Sequence, residues 1–103
     1  MAVKATISAT LTDAYQNLAT LFGATNGKIP IGTATANKVV ITILTQTADL
    51  AWGDSTPAIG GHDIAAGDSW TINGLAEIKN AYLKNSTAGQ TSTAIITAFE
   101  VHE

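Results

Sequence analysis

The chain is predicted to be all-β: an antiparallel β-sandwich or jelly-roll of about seven strands with at most one short helix. Three observations predict this. Short runs alternate apolar and polar residues with a period of two, as in residues 3–12, VKATISATLT. The runs are rich in threonine and other β-branched residues, which fit a pleated, half-buried surface. Gly, Asn, Asp and Pro separate them at short intervals, with the chemistry of tight turns. At 103 residues, with no linker-like stretch and no internal repeat, residues 1–103 form a single domain.

The first strand runs over 3–12. Val3, Ala5, Ile7, Ala9 and Leu11 share one face, and Lys4, Thr6, Ser8, Thr10 and Thr12 the other. The period changes over 13–22, where Ala14, Leu18 and Leu21 recur at helical spacing. Thr12 or Asp13 is a candidate N-cap and Gly23 a stop. A continued, bulged strand is the competing reading of this stretch. Asn26-Gly27 signals a type I′ hairpin, and Pro30 within Ile29-Pro30-Ile31 places that run at a sheet edge or strand end.

Residues 38–47, KVVITILTQT, form the clearest strand. Val39, Ile41 and Ile43 lie on one face, and Val40 and Leu44 on the other. Two partly apolar faces imply a central or covered strand. Leu50-Ala51-Trp52 is a short strand. Residues 53–68 read as a long loop punctuated by Pro57, Gly60, Gly61 and Gly67. Strands are then expected at 69–72, before the Asn73-Gly74 turn, and at 77–84. The last strand spans 92–102, with Ile95, Thr97, Phe99 and Val101 facing the core. The expected core is Ile7, Leu11, Val39, Ile41, Ile43, Trp70, Ile72, Ile95, Phe99 and Val101. Ile96 and Ala98 then fall on the outer face beside Val40 and Leu44.

Composition excludes several function classes. Net charge is −3 and all five basic residues are lysine, so no basic stripe exists to neutralise phosphates, and nucleic acid is not an expected partner. No stretch approaches the roughly 20 apolar residues of a membrane span. Met1-Ala2-Val3-Lys4 leads straight into alternation with no apolar leader segment, so synthesis in the cytoplasm without a signal peptide is expected. Cysteine is absent, which removes disulfides and thiolate metal sites. Charged residues are only 13% of the chain, against about 25% in an average soluble domain, and a surface so poor in charge is weakly protected against association.

Turn and strand-end motifs carry a resemblance. Leu11-Thr12-Asp13-Ala14-Tyr15-Gln16-Asn17-Leu18 follows the first strand, and Leu50-Ala51-Trp52-Gly53-Asp54 follows the central one. Ile64-Ala65-Ala66-Gly67-Asp68-Ser69-Trp70-Thr71-Ile72 then leads into Ala81-Tyr82-Leu83-Lys84-Asn85-Ser86-Thr87-Ala88-Gly89. This order resembles small β-sandwich virion proteins of tailed bacteriophages, of the capsid decoration or cement type or the tail and fibre type. The resemblance implies a non-enzymatic structural role at the capsid surface of a virion. The implied partners are the major capsid protein or other virion proteins, in a homo-oligomer (trimer or dimer). The chain lacks the acidic or Pro-rich arm that some cement proteins carry. The alternative is a tail or fibre recognition module that binds carbohydrate or a host receptor.

Candidate sites are few. Asp54, His62, Asp63 and Asp68 gather in one predicted loop, where a Ca²⁺ site competes with simple turn capping; the spacing fits no EF-hand template. Trp52, Trp70 and Tyr82 are candidates for a sugar platform, against the more ordinary reading of core or interface aromatics. His62 has no neighbouring His or Cys to complete a zinc site, and His102 alternates outward beside Glu100. Asn85-Ser86-Thr87 matches a glycosylation sequon that has meaning only in a eukaryotic secreted protein. No nucleophile elbow, phosphate loop or dinucleotide fingerprint occurs. No catalytic residue, cofactor or metal is therefore assigned. The interface candidates are the second apolar rows: Val40 and Leu44 on one strand, Ile96 and Ala98 on the last.

Overall fold

A computed structural model describes residues 2–24, 28–31, 34–53 and 59–101. Two four-stranded antiparallel sheets carry the fold. The front sheet runs β1 (Ala2–Leu11), β10 (Ser92–Val101), β5 (Lys38–Thr45), β8 (Ser69–Asn73) in spatial order. The back sheet runs β2 (Gln16–Asn17), β9 (Ala81–Asn85), β6 (Ala48–Trp52), β7 (Ile59–Ile64). The chain crosses between these two sheets after β1, β2, β5, β7, β8 and β9, so only β6 and β7 follow one another in the same sheet. Eight strands so interleaved make a jelly-roll. Between β2 and β5 lie helix α1 (Leu18–Leu21) and a small hairpin of β3 (Pro30–Ile31) with β4 (Ala34–Thr35), and helix α2 (Leu75–Lys79) joins β8 to β9.

The core lies between the sheets. The front sheet contributes Leu11, Val39, Ile41, Ile43, Ile72, Ala94, Ile96 and Ala98; the back sheet contributes Ala48, Leu50, Ile64, Ala81 and Leu83. Leu18, Ile29, Ile31 and Ile78 close the open end. Alternation reads β1 and β5 correctly: Ala9 and Leu11 are buried between exposed Ser8 and Thr10, and Val39, Ile41 and Ile43 are all fully buried.

The last strand is turned over relative to expectation. Ile7 pairs with Ile96, Ala9 with Ala94, and Ile41 with Ile96, so Ala94, Ile96 and Ala98 form the inward row. Ile95, Phe99 and Val101 are half-buried on the outer side. Both rows of STAIITAFEV are apolar, so alternation alone gives no frame. Packing does: β3 lies against both β1 and β10, and Ile29 and Ile31 fill the interior there, leaving space for alanine rather than phenylalanine.

Three elements differ from their sequence readings. Asn17 caps α1 by accepting a hydrogen bond from Ala19 N at 3.0 Å, so the helix starts later than Thr12 or Asp13 would place it, and the short β2 precedes it. Where at most one short helix was expected there is a second, over 75–79; it takes the first residues of the strand expected at 77–84, which runs instead over Ala81–Asn85. Leu, Ala, Glu and Lys are good helix formers, and Gly74, at φ 97°, makes the turn that admits them. The expected long loop at 53–68 contains β7. Asn26-Gly27, Asp54 and His102 lie outside the described residues.

The turns after β1, β5 and β9 are sewn together by a buried polar cluster. Ser92 Oγ donates to Asn85 Oδ1 at 2.5 Å and lies 3.3 Å from Thr47 O. Asn85 Nδ2 donates to Thr87 O, Asn85 N donates to Thr12 O at 2.6 Å, and Asp13 accepts from Gly89 N at 3.1 Å. At the opposite end Asn37 does similar work: its amide donates to Val101 O at 3.1 Å and accepts from Val101 N at 2.9 Å.

Candidate functional site

Pleating turns the even-numbered residues of β1 and β5 and the odd-numbered residues of β10 outward from the front sheet. The pairing registers then align two rows across all four strands: Thr6, Thr97, Val40, Thr71 and Ser8, Ile95, Thr42, Ser69. None of these eight side chains ionises. Six carry hydroxyls, and several bond to one another: Thr6 Oγ1 donates to Thr97 Oγ1 at 3.3 Å, and Thr42 Oγ1 and Ser69 Oγ are 2.8 Å apart. Leu44 extends the face toward the turns and is 49% exposed. The first charge appears one row away, where Lys38 Nζ stands 5.8 Å over the Phe99 ring.

Two of the four interface candidates therefore lie on this face: Val40, half-buried, and Leu44, exposed. The other two do not. Ile96 and Ala98 have no accessible surface, because β10 presents its other row outward. Ile95 and Phe99 take their places on the outer side.

A second cluster sits where the open edges of the sheets, β7 and β8, come together. His62, on the inward face of β7, lies between Trp70 of the front sheet (ring centroids 3.8 Å apart) and Trp52 of the back sheet (6.4 Å). Both contacts are edge-to-face, and the Trp52 contact lies at a separation favoured by aromatic pairs. All three residues are partly exposed. Trp52 Nε1 is buried and meets no hydrogen-bond partner among the described residues. Tyr82, the third aromatic of the expected platform, is buried on the outer side of the back sheet and is not part of this cluster. His62 and Asp63 alternate on a strand instead of sharing a loop. Among the described residues, no group of three or more His, Asp or Glu side chains is placed to hold a metal.

The outer face of the back sheet carries a network that alternation hints at but pairing alone reveals. Asp49 stands between Lys84 and Asp63 across neighbouring strands. Tyr15 OH donates to Asp49 Oδ2 at 2.8 Å, and Lys84 Nζ lies 4.9 Å from the Tyr15 ring centre. Burial, the hydrogen bond to Asp49 and the charges of Asp49 and Asp63 all disfavour the phenolate, pushing Tyr15 up to about 12. A polar groove of about 330 Å³ at the Asn37 end is lined by Asn37, Lys38, Asn73, Gly74 and Val101. No helix among the described residues is long and apolar enough to cross a membrane.

No family model, curated protein or solved structure matches this chain.

Proposed function

We propose that this jelly-roll is a non-enzymatic structural virion protein that decorates or cements a bacteriophage capsid, docking through the outer face of its front sheet. The carrying observation is that face: two full rows with no ionisable group, on a molecule whose other outer face holds Asp49, Asp63 and Lys84. A solvated sheet normally alternates apolar-in with polar, often charged, residues out. Four strands about 4.8 Å apart and six residues of about 3.3 Å each span on the order of 400 Å². A stable pairwise complex needs roughly 800 Å² per partner. A face of this size suits repeated weak contacts on a lattice, where many copies act together. The phage assignment rests on the resemblance of the turn motifs.

Leu44→Asp tests the proposal. Its side chain is half exposed, so the variant should fold with unchanged circular dichroism yet fail to incorporate into particles. Particles lacking the protein should lose heat and pressure resistance. Normal incorporation of Leu44→Asp, or particles equally robust without the protein, would end the cement reading.

A recognition module of a tail or fibre is the second reading, favoured by the Trp52–His62–Trp70 cluster. A sugar ring stacks on aromatic faces, and all three rings of this cluster are partly exposed. Trp52 and Trp70 are the only tryptophans in the chain, so fluorescence excited selectively at tryptophan reports this cluster alone. Under the decoration reading, oligosaccharides leave the emission unchanged and virions contain the protein in many copies. Saturable quenching together with a few copies per virion would favour recognition.

A further inference from the structure

The two sheets have four edges, and three are blunted. β2 is two residues long, β8 is five, and β7 contains Gly60 and Gly61 and pairs irregularly with β6. Short edges, glycines and irregular pairing are the usual defences against strand addition. β1 has none of them. It is ten residues long and pairs with β10 without a register shift from Ala2 to Leu11. Residues 5–11, ATISATL, include no charge, no proline and no glycine. Half of the backbone N–H and C=O groups of such a strand point away from its neighbour. Among the described residues, the backbone of 5–11 bonds only to β10. The β3 segment touches both β1 and β10, so it lies beneath the sheet and not across this edge.

We propose that the β1 edge pairs with β1 of a second copy, antiparallel about a twofold axis at Ser8, joining two front sheets into one eight-stranded sheet. The sequence of the strand is complementary to itself in that register. Inward, Ile7 meets Ala9 and Leu11 meets Ala5, so each large side chain faces a small one. Outward, Thr6 meets Thr10 and Ser8 meets Ser8, hydroxyl to hydroxyl, as Thr6 already does with Thr97 inside the chain. A symmetric, isologous contact closes at two copies and leaves no further edge of this kind. The pairing also carries the uncharged outer rows across the axis, doubling the continuous face. This pairing does not depend on the protein belonging to a virion.

Sedimentation of the full chain at tens of micromolar tests this, with amide exchange of residues 5–11 as the second readout. The expected species has twice the 10.6 kDa chain mass, with every amide from 5 to 11 protected. In a free edge strand alternate amides exchange fast. Thr6→Lys/Thr10→Lys puts lysine opposite lysine across the axis and should give a folded monomer with that fast alternate pattern restored. Thr6→Lys/Thr10→Glu puts lysine opposite glutamate and should restore the dimer. Both positions are exposed, so neither variant should disturb the fold. A wild-type monomer overturns the proposal, as does a dimer with alternate fast amides. Dimerisation of the Lys/Lys variant, or equal loss in both variants, overturns it too; equal loss points instead to docking through the outer face.

Discussion

Ile96 and Phe99 sit three positions apart on β10 and face opposite sides of the front sheet. Truncating Ile96 leaves a cavity among Ile7, Ile41 and the back sheet, and Ile96→Ala should cost about 2–5 kcal/mol. Phe99 is half-buried under Lys38, so Phe99→Ala should cost about 1 kcal/mol. Chemical denaturation of both variants decides the frame of the strand; a larger loss for Phe99→Ala than for Ile96→Ala would reverse it. Tyr15 makes a different kind of prediction. Its folded pKa lies near 12, above the ordinary 10.0. A group so raised stabilises the fold fully below pH 10, where both states keep the proton. The unfolded chain ionises first above that, so stability falls as pH rises from 10 through 12. Tyr15→Phe should flatten this alkaline loss, measured as denaturation midpoints across that range.

Between elements, side chains complete what the strands leave open. Asn37 bonds both the N–H and the C=O of Val101, acting as an extra residue of β5 that holds the end of β10. Asn37→Ala should cost about 1 kcal/mol and speed amide exchange at the end of β10, leaving β1 residues 5–11 unaffected. The same level explains what the sequence could disclose. β1 and β5 were legible because one face is hydroxylic or smaller and the other apolar. β10 was not, because Ile95 and Phe99 outweigh Ala94 and Ala98 by hydrophobicity, and only the hairpin beneath decides which row fits inside. Helix α2 was within reach: Leu75-Ala76-Glu77-Ile78-Lys79 has strong helical propensity, but its apolar residues also fit a strand of imperfect alternation. β7 was hidden by its glycines. Of the candidate site, Val40 and Leu44 followed from the frame of β5, whereas Ile96 and Ala98 inherited the wrong frame of β10. The aromatic cluster was visible as three residues but not as a group, since His62 joins Trp52 to Trp70 only through the contact of two sheets.

Across the whole molecule, the front sheet is assembled from the two ends of the described chain: Thr6 and Thr97, bonded side by side, are 91 positions apart. Closing a loop of that length costs about 4 kcal/mol in chain entropy before any contact compensates. Sequence-distant pairing of this kind places a protein among the slow folders, on millisecond-to-second timescales. The β6–β7 pair, nearer in sequence, can form without that delay. β1 therefore waits unpaired until β10 arrives, and the uncharged rows of the outer face exist only once both are in place. Half of each row comes from β1 and β10, the most sequence-distant pair of the sheet. A chain that has not finished folding offers no docking surface, so the order of events is built into the topology: the molecule completes itself first, and only then can it be built into anything larger.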